Sequence, residues 1–385
     1  MIFLVFLIFI LIYAVTIAQL IFGFEKVRPF TAEKSTPKTF FSIVIPFRNE
    51  AQNLPDLLES FRNLDYPLDL FELILIDDFS EDSSVRIVYD WRMANGSYQV
   101  TLLENIKISG SPKKDAISRA IPIVKSEWIV TTDADCIVNK NWLLNLDAFI
   151  KNEKVSMVAG SVSYLNPKSF LHHFQQLDLT SLQGATIGSF GMNLGFMCNG
   201  ANFAYTKSLF QELGGFGGNN NVASGDDVFL LQKAVAKFPD KVKYLKSAEN
   251  IVFTKPENSW KTLFHQRIRW ASKTGSYQSV FGKDLAVIVF TANLLCLLAF
   301  AFSFAPFGFA SGSLFADFSW LEFGILFAIK FMVDAVFLYK TNQLLTGKRL
   351  RFLVLGSLLY PFFCVAVALY AVLGTYEWKG RKFKI

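Results

Sequence analysis

The chain has 385 residues, 52% of them hydrophobic and 41 of them Phe, which is too apolar for a soluble enzyme of this size. Its formal charge of +6 is modest and gathers beside apolar runs, which suits anionic lipid headgroups and argues against nucleic acid as a partner. Four cysteines without metal-ligand spacing fit reduced thiols better than a disulfide framework.

Residues 1–24 carry no charge. They lack a basic leader and exceed the apolar core of a signal peptide, so they read as a retained N-terminal anchor. Lys26, Arg28, Lys34 and Lys38 follow at once, and positive charge beside a span predicts a cytoplasmic domain over 40–280. A C-terminal membrane block is expected over 285–376. Within it, 285–310 and 352–376 are uncharged runs long enough to cross a bilayer. A fourth candidate, 318–339, holds Glu322, Lys330 and Asp334; the last two, four residues apart, read as a compensated structural pair. The loop 340–351 and the basic tail 377–385 both ask for the cytoplasmic side. Four full spans would leave the tail outside, so one segment is expected to be re-entrant. The candidate is 285–310, with Pro306 near its end.

Between the anchor and the membrane block the composition is that of a globular domain. Phe40–Pro46 is a short β-branched and aromatic run and predicts a buried strand. Asn53 is the expected cap of a helix reaching Leu64. Phe71–Asp78 predicts a second strand ending in acids, followed by a helix from Ser80–Asp82 towards Arg92. Val100–Glu104 reads as a third strand, Gly110–Lys114 as a loop, and Asp115–Val124 as a helix. Trp128–Thr132 is a fourth strand that delivers Asp133 and Asp135 into the next turn. Such alternation implies right-handed crossovers and a mostly parallel sheet with helices on both faces. Val155–Tyr164 reads as another strand, with Gly160 allowing close backbone approach, and Phe170–Leu182 as a helix. Gly200-Ala-Asn202 sits in an apolar frame, 214–221 is a Gly- and Asn-rich loop, and Ser224 is the expected cap of a helix opening with Asp226 and Asp227. Trp260–Ser272 is a helix just before the membrane block.

Ligands of parallel sheets collect beyond the carboxyl ends of the strands, where Pro46–Glu50, Asp77–Asp78 and Asp133–Asp135 all fall. Three acidic turns at one sheet edge are an electrostatic cost that a bound cation would relieve. Residues two apart on an extended segment share a side, so Asp133 and Asp135 can face one hard cation through oxygen. No Ser nucleophile elbow, Walker loop, dinucleotide-binding glycine fingerprint or His-based site is present.

The chain resembles a membrane-bound family 2 glycosyltransferase, the family of cellulose, chitin and hyaluronan synthases and ceramide glucosyltransferases. The resemblance runs from about Ser42 to Trp270. It rests on Ile43-Val-Ile-Pro-Phe-Arg-Asn-Glu50, Ile76-Asp-Asp-Phe-Ser80, Gly110 with Lys113, Asp133-Ala-Asp135, Gly200-Ala-Asn202, Gly214-Gly-Phe216, Gly225-Asp-Asp227 and Gln266-Arg-Ile-Arg-Trp270. It implies an α/β GT-A fold, Rossmann-like and mostly parallel, with one N-terminal and about three C-terminal transmembrane segments. It also implies a nucleotide-diphosphate sugar donor, a UDP-sugar foremost. Pro46, Glu50, Asp78, Lys113, Asp133, Gln266 and Arg269 would bind the donor, and Asp135 with Asp133 would hold Mg2+ or Mn2+. Asp227 would be the general base, and Asp226 and Trp270 would face the acceptor. Asp226 stands where the family more often has Glu.

A divalent cation and an Arg would stabilise the leaving diphosphate, while a single carboxylate base and direct displacement predict inversion. The expected activity is therefore metal-dependent, inverting sugar transfer to a polysaccharide or surface glycan at the plasma (inner) membrane. The alternatives are a single transfer to a ceramide, diacylglycerol or polyprenyl phosphate, and an inactive membrane scaffold.

Overall fold

The computed structural model describes residues 2–32, 36–218, 225–304, 318–373, 375–378 and 381–384. The chain opens with α1 (Ile2–Lys26), then β1 (Phe41–Phe47), α2 (Leu54–Arg62), β2 (Phe71–Asp77), α3 (Ser84–Ala94) and β3 (Gln99–Glu104). It continues through α4 (Pro112–Ala120), β4 (Trp128–Thr131), β5 (Cys136–Ile137), α5 (Trp142–Glu153), β6 (Met157–Gly160), β7 (Val162–Tyr164) and α6 (Phe170–Gly191). Then come β8 (Phe203–Thr206), α7 (Lys207–Glu212), α8 (Asp226–Lys237), β9 (Val242–Leu245), β10 (Val252–Thr254) and α9 (Trp260–Ala271). The chain ends with α10 (Val280–Phe302), α11 (Trp320–Leu345), α12 (Leu353–Leu373), β11 (Thr375–Trp378) and β12 (Arg381–Lys384). Val27–Pro167 with Ser189–Pro256 form one compact unit; Met1–Lys26, Lys168–Gly188 and Glu257–Ile385 form the other.

The first unit is built on a seven-stranded sheet in the order β3-β2-β1-β4-β8-β6-β9. β3, β2, β1 and β4 are parallel, as are β6 and β9, while β8 runs antiparallel to both β4 and β6. β1, β2 and β4 are buried on both faces almost along their length, as helix-covered strands must be. Phe41, Ile43 and Ile45 of β1 pack with Leu57 and Phe61 of α2 and Trp142 and Leu146 of α5 in one buried core. The register pairs Phe47 with Asp77 and Val44 with Thr131, so the turns after β1, β2 and β4 emerge from one edge. A second sheet, β5-β10-β7, carries the chain immediately after Asp133 and Asp135.

Several local expectations need correction. Asn53 is not a side-chain cap: its backbone is in the helical region, and its amide donates to Glu50 Oε2 at 2.6 Å. The helix expected from Asp115 begins at Pro112, whose fixed φ suits a first turn, and ends at Ala120. The strand expected over Val155–Tyr164 is two strands in different sheets, parted at Ser161. At the break the Ser161 carbonyl accepts from Asn202 Nδ2 at 2.9 Å and from the Val252 N–H at 3.1 Å, and a Cβ on Gly160 would lie 2.4 Å from the same Asn202 amide. Gly160→Ala is accordingly expected to lower stability by about 1–3 kcal/mol through overpacking. Thermal melting checks this, and a variant melting with the wild type would mean the amide can move aside.

The second unit is helical. α1, α10 and α12 are long and apolar enough to cross a membrane. Among the described residues the C-terminal block thus holds two such helices, where about three transmembrane segments are expected. α11 is a continuous 26-residue helix with a Ser319/Glu322 capping box, but Glu322, Lys330, Asp334 and Lys340 take it out of the purely apolar class. The Lys330–Asp334 pair is compensated as expected: Nζ lies 2.6 Å from Asp334 Oδ2, and the Tyr13 hydroxyl donates to Oδ1 at 2.5 Å. α10 is unbroken over Val280–Phe302, with no reversal in that stretch; Pro306 lies outside the described residues, as do Lys34 and Lys379. α6 runs on past Leu182 to Gly191, and β11 and β12 pair antiparallel.

Candidate active site

Two backbone turns shape the donor half of the sheet edge. Asn49, after β1, and Phe79, after β2, both adopt left-handed backbone angles, φ 52° and 58°. The turns are stitched together by Arg48, whose guanidinium donates to the Asp78 carbonyl at 2.8 Å and to the Phe79 carbonyl and Glu81. Ser84 Oγ accepts the Glu50 N–H at 2.8 Å. Burial would raise the Asp82 carboxyl, but the Ser84 hydroxyl and N–H and the Ala51 N–H hold it below the ordinary carboxylate value. Asp78 is buried, and its Oδ1 accepts from Asn105 Nδ2 at 2.8 Å; the same amide reaches the Pro112 carbonyl at 3.1 Å. Asn105 thereby ties Asp78 to the start of α4, the helix that carries Lys113. Nothing in the local pattern singles out Asn105, since an Asn after a strand usually marks only a turn.

Lys113 is the centre of the second half. Its Nζ lies 2.5 Å from Asp133 Oδ1 at the exit of β4 and 3.6 Å from Asp226 Oδ2 at the start of α8. Asp227 joins them through the backbone: its Oδ2 accepts the Gly200 N–H at 2.7 Å and its Oδ1 the Val228 N–H at 2.8 Å. A Cβ on Gly200 would sit 3.2 Å from Lys113 Nζ and 3.4 Å from Asp226 and Asp227 oxygens. A side chain here would stand in tight contact with the lysine that draws the segments together. Burial by itself would lower the Lys113 ammonium. The Asp133, Asp226 and Asp227 carboxylates overcome it and hold the group above the usual lysine value. Tyr205, on the strand between these segments, has its phenol raised by burial and by the charge of Asp226.

Gly225 takes the cap position of α8 with φ 85°, which places both acids in the first turn, where the helix dipole favours them. The expected Ser224 cap and the far end of the 214–221 loop lie outside the described residues. The described stem of that loop is held by Lys233 Nζ, which donates to the carbonyls of Gly215 at 2.9 Å and Gly217 at 2.6 Å.

Asp135 follows in the same turn as Asp133, with Ala134 buried between two half-buried carboxylates. Cys136 Sγ lies 3.5 Å from Asp135 Oδ1, and burial followed by these two charges pushes its thiol well up, so it is no thiolate ligand. Among the described residues no three His, Cys, Asp or Glu side chains converge as a closed metal cage. Two half-buried carboxylates in one turn, Asp133 also paired with Lys113, offer the hard oxygen that would suit Mg2+ or Mn2+, which keep positions for phosphate and water and are rarely held by protein alone.

The structure thus joins Lys113, Asp133, Asp226 and Asp227, and separately Glu50 with the turn that carries Asp78. Pro46 is half-buried at the end of β1. Gln266, Arg269 and Trp270 belong to α9 in the helical unit. There Gln266 Nε2 donates to Glu257 Oε1 at 3.2 Å, and the Arg267 guanidinium stacks 4.2 Å from the Trp270 ring centre while pairing with buried Asp178. The motif gives no sign of the Arg267–Asp178 pair, because Arg267 falls at one of its variable positions.

Residues 42–214 match the model of glycosyl transferase family 2. The chain is 26% identical over 262 residues to a beta-monoglucosyldiacylglycerol synthase of Trichormus variabilis, a match covering 66% of this chain and 53% of that protein. It is 28% identical over 144 residues to a poly-beta-1,6-N-acetyl-D-glucosamine synthase of Staphylococcus epidermidis, covering 37% and 33%. The first of these matches spans about half the relative's length and the second a third. A mannosyltransferase from Pyrobaculum calidifontis, solved with GDP-Man and Mn2+, shares the fold with TM-score 0.59 and 17% identity, over 94% of this chain and 99% of that one.

Proposed function

Residues 42–214 are a family 2 glycosyl transferase domain, and on that premise we propose that the chain transfers one sugar from a nucleotide-diphosphate sugar to a membrane-held acceptor, with inversion. The observation that carries the reading is the meeting of Asp133, Asp226 and Asp227 around Lys113. It puts a donor-side acid turn and a candidate base within one site.

Glu50 and Asp78 receive the nucleoside, with Pro46 at the same strand end. Lys113 contributes fixed positive charge beside the diphosphate. Asp133 and Asp135 would hold Mg2+ or Mn2+, which when bound supplies charge stabilisation to the leaving diphosphate. Asp227 takes the proton of the acceptor hydroxyl as that oxygen attacks the anomeric carbon from the face opposite the diphosphate. The two N–H groups of Gly200 and Val228 fix the carboxylate's rotamer and leave a lone pair on each oxygen to accept the acceptor's proton. One base with in-line displacement inverts the anomeric centre. Asp226, shorter than the Glu usual there, is turned to Lys113, so its part is to neutralise that ammonium and shape the acceptor side. Gln266, Arg269 and Trp270 are assigned to the diphosphate and the acceptor sugar on the strength of their pattern.

A lipid acceptor is favoured over a growing glycan. The match to the diacylglycerol enzyme runs over 262 residues against 144 for the polysaccharide synthase, and among the described residues two C-terminal helices are both long and apolar enough to cross a membrane. The basic residues after α1 assign the domain to the cytoplasmic face. The test is incubation of membranes holding the protein with labelled UDP-glucose, UDP-N-acetylglucosamine and GDP-mannose. A lipid-extractable product bearing a single sugar is expected; high polymer would move the assignment to a glycan acceptor, and no product with any donor would sink the reading. Chelation by EDTA is expected to cut transfer at least 100-fold, with Mn2+ or Mg2+ restoring it, as roughly the scale of a lost electrostatic stabiliser. Undiminished turnover in EDTA would remove the metal from the scheme.

A further inference from the structure

We propose that Asn202 is a positioning residue for the Asp227 carboxylate, acting through the short turn Gly200–Asn202 whose first N–H that carboxylate accepts. The inference rests on the assignment of Asp227 as base and goes beyond it, since Asn202 touches neither acid.

Asn202 is buried, and its amide is used at both ends. Oδ1 accepts from the Trp142 indole N–H at 2.9 Å. Nδ2 donates to the Ser161 carbonyl at 2.9 Å and the Asn250 carbonyl at 2.7 Å. Asn250 returns a bond from its own Nδ2 to the Trp142 carbonyl at 3.0 Å. Three distant segments are thus clamped on one side chain: the start of α5, the break between β6 and β7, and the turn before β10. The amide packs directly on the Gly160 backbone, where a Cβ would overlap it.

The other end of the turn is held just as firmly. Thr131, the last residue of β4, donates its hydroxyl to the Gly200 carbonyl at 2.7 Å. Asn199 accepts the Ala201 N–H at 3.0 Å through its side chain. The Gly200 N–H shares its peptide plane with the Asn199 carbonyl, which accepts the Asn202 N–H at 3.0 Å; that plane aims the Gly200 N–H at Asp227 Oδ2, 2.7 Å away. The buried network therefore sets where the carboxylate stands relative to the β4 turn with Asp133. A polar hub so fully satisfied specifies a geometry, and half-satisfying it costs more than removing it.

Asn202→Asp keeps the shape but replaces the NH2 donor by an oxygen facing two carbonyls, so the turn must shift. A misplacement of this kind costs on the order of 10- to 100-fold in rate. The full-length protein in membranes is assayed with whichever of UDP-glucose, UDP-N-acetylglucosamine or GDP-mannose the wild type turns over. N202D is expected to lose kcat on that scale while donor KM and the Kd for the matching nucleoside diphosphate stay within about twofold. Placed on D227N, the same change is expected to take nothing further from the residual rate. Loss through KM alone, or an undiminished additional loss on D227N, overturns the positioning role while leaving the transferase reading intact. A wild type inactive with all three donors overturns that reading and this inference with it. Should N202D fail to fold, Trp142→Phe removes the indole donor to Oδ1 along with part of a fully buried ring, and must give the same kcat-without-KM signature at smaller size; unchanged kcat would overturn the role.

Discussion

Asp227→Asn is expected to lower kcat by about 10²- to 10⁴-fold, the range for removing a positioned general base. The amide oxygen can keep one of the two N–H bonds now made to Asp227, from Gly200 at 2.7 Å or Val228 at 2.8 Å. The NH2 group must then face the other N–H, a loss of about 1 kcal/mol of hydrogen bonding and little more. Folding and the donor half, with Glu50, Asp78 and Arg48, are on other elements and are left alone. Affinity for the nucleoside diphosphate should therefore stay within about twofold of wild type, the mark of an interaction made only in the transition state. Steady-state kinetics and a binding titration check the two halves separately. Near-normal turnover would remove Asp227 from its role, and a parallel loss of donor affinity would make it a donor ligand instead.

Lys113→Met is expected to be the most damaging substitution for stability. It fills similar space but leaves Asp133, Asp226 and Asp227 facing one another without the ammonium that now lies 2.5 Å and 3.6 Å from the first two. Taking one partner from a buried ion pair costs about 3–5 kcal/mol, and Asp133 is 37% exposed, so the low end, about 3 kcal/mol, applies. For a unit of this size that is a fall of about 6–12 °C in melting temperature. The sign of the pH dependence follows from the direction of the Lys113 shift. Its value is raised in the folded state, so the stabilisation is fully present below the unfolded lysine value of about 10.4 and is lost only as pH rises through the still higher folded value. The melting gap between wild type and K113M in EDTA is expected to hold steady from pH 7 to about 10 and shrink above that. A gap that closes near neutral pH would contradict the charge arrangement described for this site.

Much of the site is legible in the order of residues alone, for a definite reason. Strands buried on both faces must be β-branched and apolar, so Phe41–Phe47, Phe71–Asp77 and Trp128–Thr131 stand out from the helices between them. The acids that close each run mark where strands end. Alternation of strand and helix then implies parallel pairing, and parallel pairing sends those ends to one edge. Where a local pattern misleads, a distant partner has taken over. Asn53 stands at the cap position of its helix but turns its amide to Glu50, and the one expected strand is parted at Ser161, whose carbonyl accepts from Asn202.

Local chemistry determined that three acidic turns share a sheet edge, that α8 opens on two acids, and that the chain carries helices fit for a bilayer. Tertiary structure alone decided that Lys113 joins Asp133 to Asp226, that the Gly200 N–H meets Asp227, and that Arg267 is paired with Asp178 rather than idle. Periodicity reports which side of its own element a residue occupies. Which far-off group stands opposite depends on strand order, here on β8 entering antiparallel beside β4, and no short window of sequence contains that information.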